Sequence, residues 1–183
     1  ASAPRTATFE VTGEQDGLRI YGGWSGSETF TDVSEVDAAL DSRDLVANET
    51  ILSGNINGDE SDDSGNAYHV LVFNGGNGIG VSSPENITPG TVLDGFTVTG
   101  GNANGGFPNN AGGGLYCDGD SSGNACSPSL TGLTFTGNSA DFGGAINNRS
   151  INGGTSSPQV TNATFTGNSA SSGGALYNNG SFS

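Results

Sequence analysis

The stretch Ser127-Pro-Ser-Leu-Thr-Gly-Leu-Thr-Phe135-Thr-Gly-Asn138-Ser-Ala-Asp-Phe-Gly143-Gly-Ala-Ile146 returns thirty residues later as Ser157-Pro-Gln-Val-Thr-Asn-Ala-Thr-Phe165-Thr-Gly-Asn168-Ser-Ala-Ser-Ser-Gly173-Gly-Ala-Leu176. A period of this length marks a solenoid, propeller or array, and it outranks local propensity. Within each unit the apolar positions alternate strictly. Leu133 and Phe135, then Ala163 and Phe165, share one parity, while Thr134 and Thr136, then Thr164 and Thr166, share the other. Period two is a strand with one buried face. Gly-Asn-Ser reads as a turn, and Gly-Gly-Ala-Ile or Gly-Gly-Ala-Leu opens the next short strand. No helical period interrupts the unit, which excludes βαβ and leucine-rich arrangements. Short strands, Gly/Asn corners and a fixed period describe an all-β parallel β-helix of about five or six coils.

Working outward from the repeat, Thr91-Val-Leu-Asp-Gly-Phe96-Thr97-Val98-Thr99-Gly-Gly101 aligns on it without gaps. Val98 then takes the place of Phe135, and Gly101 that of Asn138. An insertion within Asn104 to Ala111 follows, and Gly113-Gly114-Leu115-Tyr116 is expected to resume the register. Phe96, Leu133 and Ala163 should form one internal stack, and Val98, Phe135 and Phe165 the next. Asn138 and Asn168 should stack at a turn and bond each other or the backbone, as buried polar groups require. Residues 91–183 are thus regular coils and residues 1–90 irregular opening coils of the same single domain. In that first part Thr6–Val11, Leu18–Tyr21, Thr50–Leu52, Tyr68–Phe73 and Gly78–Val81 read as strands. Ser34–Leu40 is compatible with two turns of helix.

Composition narrows the function. The chain has 183 residues, 33 of them glycine, and a formal net charge of −15 with only four basic side chains, all arginine. So acidic a chain repels phosphate backbones, which disfavours nucleic acid, and it offers no basic amphipathic helix to a membrane. No apolar run is long enough to span a bilayer. The acidic balance suits high salt or a calcium-rich exterior. Cys117 and Cys126 lie nine positions apart in a Gly/Ser/Asp loop, where a disulfide is favoured over two free thiols and points to an oxidising compartment. Ala1-Ser-Ala-Pro-Arg5 lacks a signal-peptide hydrophobic segment, which leaves a removed signal or a piece of a longer chain.

Phe-x-x-Asn (Phe135/Asn138, Phe165/Asn168) paired with Gly-Gly-Ala-Ile or Gly-Gly-Ala-Leu resembles the repeats of polymorphic outer-membrane proteins and related bacterial β-helix proteins. Ile20-Tyr-Gly-Gly-Trp24, Gly26-Ser-Glu28, Arg43-Asp44 and Thr50-Ile-Leu-Ser-Gly54 are similar to the opening coils of large secreted bacterial right-handed β-helix proteins. The resemblance covers most of residues 18–178. It implies a right-handed helix and a secreted or surface location, and it carries no catalytic motif.

The candidate sites follow from residue chemistry. Asp59, Glu60, Asp62 and Asp63, and separately Asp118 and Asp120, cluster hard oxygen ligands on Gly-rich loops, as calcium prefers, though a solvated acidic loop explains them as well. A calcium-dependent polysaccharide lyase would need a base, and without lysine that base would be Arg149. A glycosidase would need paired carboxylates, and Asp94 and Asp141 sit at different points of the coil. Thr97/Thr99, Thr134/Thr136 and Thr164/Thr166 should present a flat outer threonine array, resembling ice-binding faces or simply meeting strand propensity. Tyr21 and Trp24 could stack on a sugar or cover the first coil. His69 reads as structural. The expectation is a secreted or cell-surface module for adhesion or end-to-end assembly. Its partners would be a second chain, a continuation of its own, or glycans; the alternative is a polysaccharide-binding or -cleaving β-helix.

Overall fold

The structure, a computed structural model, describes residues 4–59, 61–76 and 86–180. The first pass of the chain contributes β1 (Phe9–Thr12), β2 (Arg19–Tyr21), a short helix α1 (Val33–Ala39) and β3 (Thr50–Ser53). The second contributes β4 (Leu71–Asn74), β5 (Asn86–Ile87), β6 (Val92–Asp94), β7 (Phe96–Thr99) and β8 (Asn102–Ala103). The third has β9 (Leu115–Asp118), β10 (Ala125–Cys126), β11 (Ser129–Thr131), β12 (Thr134–Thr136) and β13 (Ser139–Phe142). The fourth repeats these as β14 (Ile146–Ser150), β15 (Thr155–Ser156), β16 (Gln159–Thr161), β17 (Thr164–Thr166) and β18 (Ser169–Ser172), after which β19 (Leu176–Gly180) returns to the first sheet.

Every ladder among the described residues is parallel. The strands form five sheets, ordered β1-β4-β9-β14-β19, β15-β10-β5, β16-β11-β6-β2, β17-β12-β7-β3 and β18-β13-β8. The chain therefore visits the sheets in one order; it returns to each about thirty residues later in the regular repeat, as from Ser129 to Gln159, and after longer intervals before it, as from Phe9 to Leu71. This is an all-β parallel arrangement in which hydrogen-bonded neighbours are successive passes rather than successive strands.

The register follows from the repeat. Leu52, Val98, Phe135 and Phe165 oppose one another across the third long sheet, and Ile20, Leu93, Leu130 and Val160 across the second. The middle members of these rows belong to one apolar cluster that also holds Phe73, Ile87, Leu115 and Ile146, with Leu52 and Phe165 packed against it, while Ile20 and Val160 at the row ends stay exposed. Phe135 and Phe165 stack with centroids 5.4 Å apart and planes 6° off parallel. Phe96 and Leu133 are buried in the same cluster, while Ala163 is only half-buried. At the corner after this sheet Asn138 binds in three directions. Its Nδ2 donates to Val98 O at 2.9 Å and to Asn168 Oδ1 at 3.0 Å, and its Oδ1 accepts from Gly101 N at 3.0 Å. Asn168 Nδ2 in turn donates to Phe135 O at 2.8 Å.

Two alignments move by one residue. Leu115 opposes Ile146, so Gly112-Gly113, not Gly113-Gly114, matches Gly143-Gly144. Gly112, Gly143 and Gly173 share a left-handed φ of +68°, +67° and +66°, which a side chain would strain. Cys117 accordingly opposes Asn148, and the register returns to thirty at Ala125 and Thr155 because the cysteine corner is one residue longer than the corner after it. Strand β4 begins at Leu71, later than the apolar run at Tyr68. The Gly78–Val81 segment and Glu60 lie outside the described residues.

The helix forms where Asp32 caps it, its carboxylate accepting from Ser34 N and Glu35 N. It belongs to the long excursion between β2 and β3, which Arg43 pins down. Arg43 donates to Asp94 at 2.9 Å, to Gly22 O at 3.0 Å and to Leu40 O at 2.9 Å. Its guanidinium lies 5.6 Å from the ring centroids of both Tyr21 and Trp24.

Candidate functional site

The five-stranded sheet turns one face to the core and the other outward. Leu115, Cys117 and Ile146 belong to the apolar cluster, so Tyr116 and Asn147 between them face away. The register sets Glu10, Val72, Tyr116, Asn147 and Tyr177 in one outward row, and Thr12, Asn74, Asp118, Arg149 and Asn179 in the next. The 104–111 insertion arches over this face. Gly105 N donates to Asn109 O and Asn109 N to Gly106 O, which folds the insertion into a compact turn. The turn brings the Phe107 ring within 5.1 Å of the Arg149 guanidinium carbon.

Beside it runs a groove of about 540 Å³, lined by Thr8, Glu10, His69, Asn74, Tyr116 and Asp118 among others. A separate, smaller cleft of about 100 Å³ lies toward β19, between Phe107, Phe142, Asn147, Tyr177 and Asn179. His69 stacks on Tyr116 with centroids 5.4 Å apart, and its Nδ1 sits 3.0 Å from Gly112 O. A carbonyl only accepts, so Nδ1 carries the proton. Burial pushes the imidazole pKa below its ordinary value, against the raising effect of the Gly112 carbonyl. Burial first, and then the Asp118 charge, raise the Tyr116 phenol, which stays neutral.

Arg149 is the electrostatic centre of the face. It pairs with Asp118 at 3.1 Å and with Asp120 at 2.7 Å, its side chain only 11% exposed. Burial opposes its charge, but Tyr116, Asp118 and Asp120 outweigh burial and raise its pKa. A guanidinium so held is a poor proton acceptor. The other arginines are engaged as well: Arg19 pairs with Asp37, Arg43 with Asp94, and Arg5 donates to Asn66 O and Asn102 O beneath Tyr68.

The remaining sequence candidates are scattered. The Asp59 carboxylate accepts from Ser61, that of Asp62 from Ser64 and that of Asp63 from Asn66 Nδ2, each closing its own turn. Among the described residues no three of His, Cys, Asp and Glu gather as a metal would require. Asp141 receives Asn110 Nδ2 at 3.3 Å, and Asp94 is tied to Arg43, so the two acids do not meet as a pair. Cys117 and Cys126 form a disulfide with Cα atoms 5.8 Å apart, both fully buried in the apolar cluster rather than in a solvated loop. Thr97, Thr134 and Thr164 form one row and Thr99, Thr136 and Thr166 the next, with Thr97 donating to Glu49. Tyr21 and Trp24 cover Arg43.

Sequence reasoning missed the outward face itself. Tyr116 and Tyr177 hold equivalent positions two passes apart, but Asn147 stands between them, Phe142 comes from another sheet, and only the insertion brings Phe107 beside them. A second amide ladder, Asn148 Nδ2 to Asn178 Oδ1 at 2.8 Å, was within reach, because the two residues are thirty apart. No protein-family model matches the chain, and neither does any curated protein or solved structure. No helix among the described residues is long and apolar enough to cross a membrane.

Proposed function

We propose that the chain is a right-handed parallel β-helix that works outside the cell as a structural or adhesive module rather than as an enzyme. Strand–crossover–parallel-strand connections are right-handed in almost all proteins, and the repeats resemble those of bacterial surface β-helices. The buried disulfide is compatible with an oxidising exterior.

The observation that carries the reading is the chemistry of the last pass. Every ionised side chain lies at or before Arg149, and residues 150–180 carry none. The edge strands β15 to β19 thus lack the charges that natural sheets use to keep edges from pairing. Val160 and Leu176 are 38% exposed there, and Phe165 is half-buried. Such an edge suits a further pass of the same design, supplied either by a continuation of the same chain or by a second copy stacked end to end, and it is the second copy that can be tested on this chain.

Negative-stain microscopy with calcium and again with chelator tests this, alongside Val160→Lys, which sets a charge at the inward edge. Fibres a few nanometres wide, absent in the variant, are the expected result. Fibres lost only in chelator would assign the assembly to calcium on the acidic loops. Single short rods at every concentration would contradict end-to-end assembly.

A further inference from the structure

We propose that the outward face of the five-stranded sheet binds a neutral saccharide chain, laid across the strands from the groove over Tyr116 to the cleft beside Tyr177. The proposal goes beyond end pairing, because it rests on outward side chains rather than on the backbone of the open edge, and it shares only β19 with that edge.

Shape comes first. The groove, at about 540 Å³, falls within the range of ordinary ligand sites, and the cleft at β19 lies along the same outward row, the 104–111 insertion walling both. The cleft has aromatic walls that solvent reaches. Phe107 is 62% exposed and Phe142 37%, and Phe142 meets Tyr177 at 5.3 Å with planes tilted 46°. An open aromatic wall suits the C–H face of a sugar ring, which is apolar while its edge is not. Asn147 and Asn179 line the same cleft, and carboxamides both donate and accept, as hydroxyl groups at the ring edge require.

Charge selects among ligands. The cation of the face, Arg149, is already matched by Asp118 and Asp120, and Glu10 lies at the far end of the groove. On a chain of net charge −15, uronates and sulfates meet repulsion with no spare cation on the face to offset it. The floor also holds unfinished bonding. The buried Tyr116 hydroxyl lies beside the Arg149 guanidinium without a well-formed hydrogen bond, and Arg149 Nε donates none. An extended peptide would need a free strand edge, whereas this face presents side chains.

Affinity electrophoresis of the whole chain through gels containing a soluble neutral β-glucan, a galactomannan or polygalacturonate tests the proposal. Retardation by a neutral polymer is expected. Tyr177→Ala and Phe142→Ala should each weaken it about tenfold or more, with thermal unfolding little changed because neither ring is in the core. Thr164→Ala, on another sheet, and Val160→Lys, at the open edge, should bind as the parent does, which separates this site from end pairing. Retardation by polygalacturonate alone, retardation by neither neutral polymer, or equal retardation of parent and aromatic variants would overturn the assignment.

Discussion

Removing the carboxamide of Asn138 takes hydrogen bonds from Gly101, Val98 and Asn168 at once, in a site the surrounding passes close to water. Asn138→Ala should therefore cost about 2–3 kcal/mol in denaturant unfolding, well above an ordinary surface amide. Asn138→Leu should cost as much, since shape alone does not replace the bonds. His69 gives a pH test. Its folded pKa lies below the unfolded value near 6.5 because burial disfavours the charged ring. The unfolded chain then binds more protons on acidification, so this contribution is complete above pH ~6.5 and declines as pH falls below it. Thermal unfolding between pH 7.5 and 5 should show that decline in the parent and a shallower one in His69→Gln. Arg149→Ala would leave Asp118 and Asp120 facing each other without their cation, and should destabilise by about 2–3 kcal/mol, less than a fully buried pair because both acids are partly exposed.

The regular strands were legible because their signal is doubled. Thr-x-Thr parity sets which face Phe135 and Phe165 take, and the thirty-residue period sets which residue each must meet, so β7, β12 and β17 pair as the pattern predicts. Elements outside the period were legible only in part. Helix α1 has a local cap and could be anticipated, whereas the contact that fastens its excursion, Arg43 to Asp94, joins positions 51 apart that no repeat relates. The one-residue shift at Gly112–Gly114 shows the same limit, because a run of glycines offers two equally good registers until backbone conformation chooses one. The disulfide is legible as a pair but not as a core element. Its reduction should lower stability by about 2–3 kcal/mol, the scale for a short closed loop. Denaturant midpoints with and without reductant measure it, and a Cys117→Ala/Cys126→Ala variant should match the reduced chain.

At the level of the whole molecule, charge and repeat regularity run in opposite directions along the chain. The acids and all four arginines fall in residues 1–149, where excursions, corners and the outward groove need fixed partners, while residues 150–180 of the last pass carry none. The proposed saccharide face falls in the charged part and the proposed pairing edge in the uncharged last pass, and both proposals rest on the passes being stacked in parallel register. Nuclear Overhauser contacts in the labelled protein test that register most directly. Contacts are expected between the rings of Phe135 and Phe165, between Val98 methyls and the Phe135 ring, and in a parallel backbone pattern linking Thr134 with Thr164. An antiparallel pattern between these strands, or no contact between the two rings, would contradict it.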